Sequence, residues 1–187
     1  MYQYALPILN ERAGTGNPFF CVLLSISNHP PYVIPPYFHP HSDVLEEQIV
    51  EYADWSIRQF MQAAEKQPWF DNTIFVFLGD HGKMVGTPEC EMPQSYNHIP
   101  LMIYGKDIKP GVYDGFGGQV DVSPTLLGLL NISYLQNNFG VNLLEEERPC
   151  MFFTADNLIG ARDSVNMFIY SPDSQQEFKY KLEEGKL

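Results

Sequence analysis

Apolar residues run almost without interruption along three short stretches of the chain, at residues 19–26, 73–78 and 99–104. Runs of this length, rich in β-branched and aromatic side chains, are typical of buried strands. Between the first two runs, apolar residues recur at helical spacing from residue 42 to about residue 66, and Ser42 is a suitable N-cap. The pattern therefore predicts a strand, helix, strand unit whose two strands are parallel.

The segments on either side of this unit differ in character. We expect residues 1–17 to be irregular because Gly14, Gly16 and Pro18 oppose regular structure, and residues 83–97 form a polar loop. The pattern in the C-terminal part predicts another helix and several short strands, of which the last is an exposed edge strand. These elements lie at residues 121–130 for the helix and at residues 151–154, 166–170 and 177–182 for the strands.

This order of elements predicts an α/β fold. We expect a mostly parallel central sheet flanked by helices and a small antiparallel C-terminal sheet. The chain has 187 residues, of which 44% are hydrophobic, so it can bury one sizeable core. We divide it into an irregular segment at residues 1–18, a main α/β part at residues 19–145 and a β-rich subdomain at residues 146–187.

Charge and cysteine content exclude some classes of function. A net charge of −12 argues against nucleic acids and anionic membranes as partners, since these need clustered Lys and Arg. The three cysteines match no zinc-ligand spacing; we interpret Cys21 as strand core and leave Cys90 and Cys150 open. The chain shows no signal peptide, and no apolar run approaches the roughly 20 residues of a membrane helix.

A carboxylate and an imidazole follow the second apolar run directly, at Asp80 and His81, with Gly79 and Gly82 on either side. Carboxylate oxygens and neutral imidazole nitrogens bind divalent metals, and strand carboxyl ends are where α/β proteins build such sites. The sequence therefore predicts a metal site here. The alternative is a helix-capping aspartate beside a surface histidine.

Two further histidines could reach the same sheet edge. His29 follows the first predicted strand, and His98 directly precedes the third. The alternative for each is a hydrogen-bonded surface or core histidine. His39 and His41 lie in a proline-rich loop, where we expect them to be solvated.

The sequence offers no clear nucleophile. Thr15, Ser25, Ser27 and Ser95 are candidates by residue type, but none lies in a nucleophile-elbow pattern. Thr15, between two glycines, is the one to test, although an irregular loop is the simpler interpretation. No catalytic nucleophile is therefore assigned within this chain.

A series of motifs resembles the sulfatase and alkaline-phosphatase superfamily. The sequence Leu-Gly-Asp-His-Gly at residues 78–82 looks like the metal-binding signature of that superfamily. The resemblance covers roughly residues 17–145, and it is greatest to the bacterial lipoteichoic acid synthase-like phosphoglycerol and phosphoethanolamine transferases. The other matching segments follow in order at residues 27–32, 52–54, 69–73, 98–104 and 119–127.

This resemblance implies an enzyme outside the cytoplasmic membrane that transfers or hydrolyses a phospho group through a covalent threonine intermediate. Asp80 and His81 would be ligands of a divalent metal, which could be Mn, Zn, Mg or Ca. His29 and His98 would contact the phosphate or help to bind a second ion. The substrate would be a phosphate or sulfate ester of the cell envelope.

The chain departs from the family pattern at its N-terminus. In the family, an acidic metal ligand and the threonine nucleophile precede the His29 segment by a long stretch, but only 18 residues precede Phe19 here. We therefore expect the C-terminal portion of a catalytic domain, with little turnover without the N-terminal half. The alternatives are a non-catalytic module that oligomerises through an exposed sheet surface, and a sulfatase proper.

Overall fold

Helices dominate the first half of the chain and strands its C-terminal part in the computed structural model, which describes residues 1–84 and 86–183. The helices are α1 (Tyr2–Gly14), α2 (Leu45–Ala64), α3 (Gln94–Asn97) and α4 (Gln119–Leu129). The strands are β1 (Phe75–Leu78), β2 (Leu101–Tyr104), β3 (Met151–Ala155), β4 (Leu158–Arg162), β5 (Asn166–Ser171) and β6 (Gln176–Lys181). Among the described residues, no helix is long and apolar enough to span a membrane.

The chain divides into two structural units. The first comprises Met1–Phe75 and Ile103–Ile108, and the second comprises Val76–Met102 and Lys109–Leu187. The boundary falls within β1 and within β2, which pair with each other as a two-stranded sheet. The predicted domain boundaries, at residues 18 and 145, stay predictions.

In the first unit, α1 packs against α2. The rings of Tyr2 and Phe60 lie 5.3 Å apart, and Ala5 and Leu9 of α1 are buried. The predicted long helix is confirmed as α2. Its apolar residues recur at helical spacing, so that one face of the helix carries the buried side chains. These residues are Ile49, Phe60 and Ala64.

The expectation that residues 1–17 are irregular is wrong, because α1 occupies most of them. Pro7 lies inside this helix and removes one backbone donor, and the helix buries Ala5 and Leu9 on either side of it. The glycines act only at its end: Gly16 adopts a φ of 75°, which favours glycine and stops the helix.

Residues 19–26 do not form the predicted strand. No backbone hydrogen bond joins residues 19–25 to any other described part of the chain, so the segment lacks a strand partner. Alternate side chains are 72–87% exposed, and Cys21 is exposed rather than in a core. We call these side chains the apolar row: Phe20, Val22, Leu24 and Ile26.

The predicted strands at residues 73–78 and 99–104 are present as the shorter β1 and β2. Burial of β1 is partial, with Leu78 43% exposed, so the expectation of a fully buried strand is wrong. The α/β class is confirmed. The parallel direction of the central sheet stays a prediction.

The second unit contains the predicted small antiparallel C-terminal sheet, which is a meander in the order β3, β4, β5 and β6. Strand β4 lies where the sequence predicted none. Its hairpin with β3 turns through Asp156 and Asn157, both with positive φ, as two-residue hairpins require. The sheet packs over a small core formed by Cys90, Met92, Met167, Ile169 and Leu182.

Candidate functional site

Asp80 and His81 lie directly after β1, on a loop of the second unit. Their side chains are 76% and 54% exposed. One carboxylate oxygen of Asp80, Oδ1, accepts a hydrogen bond of 2.9 Å from the backbone N–H of His81. The other, Oδ2, lies 3.9 Å from Nε2 of His81, so two potential donor atoms face a common space.

The tautomer of His81 follows from its hydrogen bond. Its Nδ1 lies 2.7 Å from the carbonyl oxygen of Gly82, which can only accept, so Nδ1 carries the proton. In the neutral ring, Nε2 then keeps a lone pair for a cation, as in metal-binding histidines. His29, in the first unit, has the same arrangement, with Nδ1 2.9 Å from the carbonyl oxygen of Pro30.

Tyr96 holds the His81 loop from one side. Its ring stacks on the imidazole with centroids 5.3 Å apart, and its carbonyl accepts a 2.8 Å hydrogen bond from Gly82 N. A Cβ at position 82 would lie only 2.1 Å from the carbonyl oxygen of Ser95. Only glycine therefore allows the loop to approach α3 this closely.

Gln119, at the start of α4, holds the same loop through its side-chain amide. Its Nε2 donates to the carbonyl oxygen of Gly79 at 3.1 Å and to that of Asp80 at 2.8 Å. The backbone immediately before His81 is therefore bonded to an element 39 residues later in the chain.

The start of α4 is fixed in turn by a buried ion pair. Asp121 is fully buried and accepts hydrogen bonds from Arg148, at 2.7 Å from Nε, and from the backbone N–H groups of Gly118 and Val141, both at 2.8 Å. Burial alone would raise the pKa of Asp121, but these hydrogen bonds outweigh it and lower the pKa. Asp121 is the third residue of α4, and its carboxylate reaches back to the backbone N–H of the N-cap residue Gly118.

The donor pair fits a divalent cation in chemistry and spacing. Ligand atoms about 2 Å from one metal lie roughly 3–4 Å apart, and Asp80 Oδ2 and His81 Nε2 are 3.9 Å apart. Carboxylate oxygen with imidazole nitrogen suits Mn²⁺ or Zn²⁺. No group of three or more acidic, His or Cys side chains with metal-site geometry occurs within residues 1–84 and 86–183. Asp80 and His81 would thus supply only part of a coordination sphere.

The other predicted site residues are placed as follows. His98 is exposed and follows α3, and its backbone N–H bonds to Gln94 O at 2.7 Å. A 3.4 Å bond from Gly79 N to Pro100 O makes the His98 segment a neighbour of the Asp80 loop. The structure therefore brings the side chains of Asp80 and His81 together, and it places the backbone of the His98 segment next to their loop.

Thr15 is not arranged as a nucleophile. Its hydroxyl donates to Arg12 O at 2.8 Å and accepts from Asn17 N at 3.3 Å, as a residue at a helix end does. His39 and His41 are exposed, and His41 Nδ1 lies 3.1 Å from a carboxylate oxygen of Glu51. Thr15 and His41 thus make local hydrogen bonds.

Sequence reasoning missed the supporting residues Tyr96, Gln119 and Arg148. Neither Gln119 nor Tyr96 has a side chain typical of a metal ligand. Gln119 is 39 residues from Asp80 along the chain, and Tyr96 lies in a region that the sequence predicted to be a loop. Gln119 did lie in a segment whose resemblance to the family was noted, at residues 119–127. Its place in that segment was the one available signal.

Comparisons with known proteins agree with this fold. The family model described as Sulfatase matches residues 1–132. Lipoteichoic acid synthase 1 of Bacillus subtilis is 25% identical over 91% of this chain, and choline-sulfatase of Rhizobium meliloti is 29% identical over 57%. A Vibrio parahaemolyticus protein of the alkaline phosphatase superfamily matches 98% of the chain with a TM-score of 0.81 and 24% identity. The chain spans 30%, 22% and 49% of these three proteins.

Proposed function

Because this chain belongs to the sulfatase family, we propose that it forms part of a divalent-metal-dependent enzyme that transfers or hydrolyses phosphate esters. Its substrates would be of phosphoglycerol or phosphoethanolamine type, in the cell envelope outside the cytoplasmic membrane. The observation that carries this proposal is the pair of donor atoms on Asp80 and His81, which lie 3.9 Å apart and are open to solvent.

Each candidate residue has a role under this proposal. Asp80 Oδ2 and His81 Nε2 would hold the cation, which when bound supplies Lewis-acid stabilisation of phosphoryl oxygens. His29 and His98 would contact the phosphate group or help to hold a second ion. The remaining ligands and the nucleophile would come from another part of the family domain, so the chain alone would show little turnover.

Metal titration tests the donor pair directly. We expect Mn²⁺ to bind this chain in isothermal titration calorimetry, and Asp80→Ala or His81→Ala to abolish measurable binding, because each removes one of two donors. His39→Ala is the matched control, since it removes an exposed histidine from a loop of the first unit. Absence of Mn²⁺ and Zn²⁺ binding to the unaltered chain would contradict the proposal.

The substrate class needs a separate assay. A phosphate diester reporter and a sulfate ester reporter should be compared, because the relatives include a lipoteichoic acid synthase and a choline-sulfatase. We expect turnover of the phosphate reporter only when the chain is supplied with the N-terminal half of a family domain. Turnover of the sulfate ester alone would favour a sulfuric ester hydrolase instead.

The apolar row favours a second candidate function, a non-catalytic module that self-associates. Its four side chains are 72–87% exposed, and the backbone of residues 19–25 has no partner among the described residues. Such an edge can pair with a second copy of the chain. Light scattering would then show a dimer that Leu24→Glu dissociates, whereas Val112→Glu, at an 87% exposed site elsewhere, leaves it intact. A monomer would exclude this candidate.

A further inference from the structure

We propose that Gln119 is a positioning residue, which fixes the Asp80 and His81 donor pair in the geometry that a divalent cation requires. This inference rests on the proposed metal-dependent function. It adds a residue that touches neither the cation nor the substrate and acts through the backbone of the loop.

The geometry of the amide supports this role. The two hydrogens of Gln119 Nε2 can serve the carbonyl oxygens of Gly79 and Asp80, which lie 3.1 Å and 2.8 Å away. Both acceptors belong to consecutive peptide units, so the pair of bonds restricts rotation around the Cα of Asp80. A side chain without an N–H donor would leave these carbonyls without this partner.

A second anchor lies on the other side of the donor pair. Gly82 N donates to Tyr96 O at 2.8 Å, so the loop is bonded just before His81 by Gln119 and just after it by Tyr96. Between these anchors the side chains of Asp80 and His81 are 76% and 54% exposed, and beyond the stacking of Tyr96 on the imidazole little packing holds them. Their relative position therefore depends on the fixed backbone.

The backbone around Gln119 is itself held by hydrogen bonds. It is the first residue of α4, and the buried Asp121 two residues later binds Gly118 N at 2.8 Å and the side chain of Arg148 at 2.7 Å. These bonds fix the start of the helix, and hence the origin of the Gln119 side chain. Support of this kind around metal ligands typically changes affinity by about 10–100-fold.

The experiment compares Gln119→Met with Gln136→Met in the full chain. Gln136 is a matched control because its amide also donates to two backbone carbonyls of the same unit, those of Asn138 and Gly140, and neither belongs to the Asp80 loop. We measure backbone hydrogen exchange of residues 79–82 without metal, and Mn²⁺ affinity by calorimetry. Gln119→Met should speed exchange at His81 and weaken Mn²⁺ binding about 10-fold or more, while the melting temperature stays near that of Gln136→Met.

The outcomes separate this inference from the proposed function. If the unaltered chain binds Mn²⁺ and Gln119→Met binds it equally well, this inference is wrong and the proposed function stands. Equal weakening by Gln136→Met would also overturn it, since the effect would then be a general loss of structure. If the unaltered chain binds no Mn²⁺, the proposed function fails, and with it the role of Gln119 toward a cation.

Discussion

The ring of Tyr96 stacks on the imidazole of His81, with an interplanar angle of 22° and 5.3 Å between centroids. This contact orients the imidazole, while the bond from Nδ1 to Gly82 O sets its tautomer. Tyr96 of α3 thus sets the plane of the imidazole, and the Nδ1 bond sets which nitrogen faces Asp80.

Replacement of Tyr96 should show how much the stacked ring contributes to metal binding by orienting the His81 imidazole. Tyr96→Ala removes the stacked ring and should weaken Mn²⁺ binding about fivefold, because aromatic pairs contribute roughly 0.5–1.5 kcal/mol. Tyr96→Phe keeps the ring and should bind Mn²⁺ as the unaltered chain does. Calorimetry on the three proteins checks this, and equal affinities for the Ala and Phe variants would contradict the stacking role.

Gly82→Ala should disrupt the His81 loop. The added Cβ would overlap the backbone oxygen of Ser95, which cannot move as a flexible side chain can. We expect a loss of roughly 1–3 kcal/mol in the free energy of unfolding, measured by urea denaturation. At Gly111 a Cβ meets no atom within 4 Å, so Gly111→Ala should be neutral or slightly stabilising. Similar losses at both positions would show that close approach to Ser95 is not the cause.

Asp121→Ala, at a fully buried position, should lower the stability of the fold strongly. It leaves Arg148, whose side chain is 17% exposed, without its carboxylate, and removes the acceptor of two backbone N–H groups. We expect a loss of about 3 kcal/mol in unfolding free energy. Asp54→Ala breaks an exposed pair with Arg58 and should cost about 0.3–0.5 kcal/mol. Comparable denaturation midpoints for the two variants would argue against a structural role for the buried pair.

The same carboxylate predicts a particular acid sensitivity. The pKa of Asp121 is lower in the folded chain than the value of about 3.9 in an unfolded one. Its stabilising contribution is therefore complete above about pH 4 and is lost as the pH falls through the folded pKa. Denaturation between pH 6 and pH 2 should show a shallower decline for Asp121→Asn than for the unaltered chain. Parallel curves would mean that another group governs acid unfolding.

The sequence was informative where local chemistry decides the structure. Helical spacing around Ile49 and Phe60 sufficed for α2, because an amphipathic helix makes its backbone bonds internally. Residues 19–26 have the composition of a strand, but a strand exists only when a second segment pairs with it, and no described segment does. Composition could not reveal this, just as Gly14, Gly16 and Pro18 led to the wrong expectation of an irregular segment where α1 lies.

For the candidate site, the sequence supplied the donor pair but not its support. Asp80 and His81 are adjacent, and their side-chain types carry the chemistry, so a short motif identifies them. Gln119 and Arg148 act through hydrogen bonds between segments 27–40 residues apart, which depend on tertiary structure. Their residue types, an amide and a guanidinium, occur on most protein surfaces and give no local signal.

The apolar row also has a consequence for how the chain behaves in concentrated solution. A segment whose backbone donors and acceptors have no partner in the described part of the chain, and which carries Phe, Val, Leu and Ile on alternate positions, has features that nucleate cross-β stacking. Residues 19–25 contain no charged side chain and no proline to interrupt such growth. Residues 19–26 are therefore expected to promote aggregation while the apolar row stays exposed.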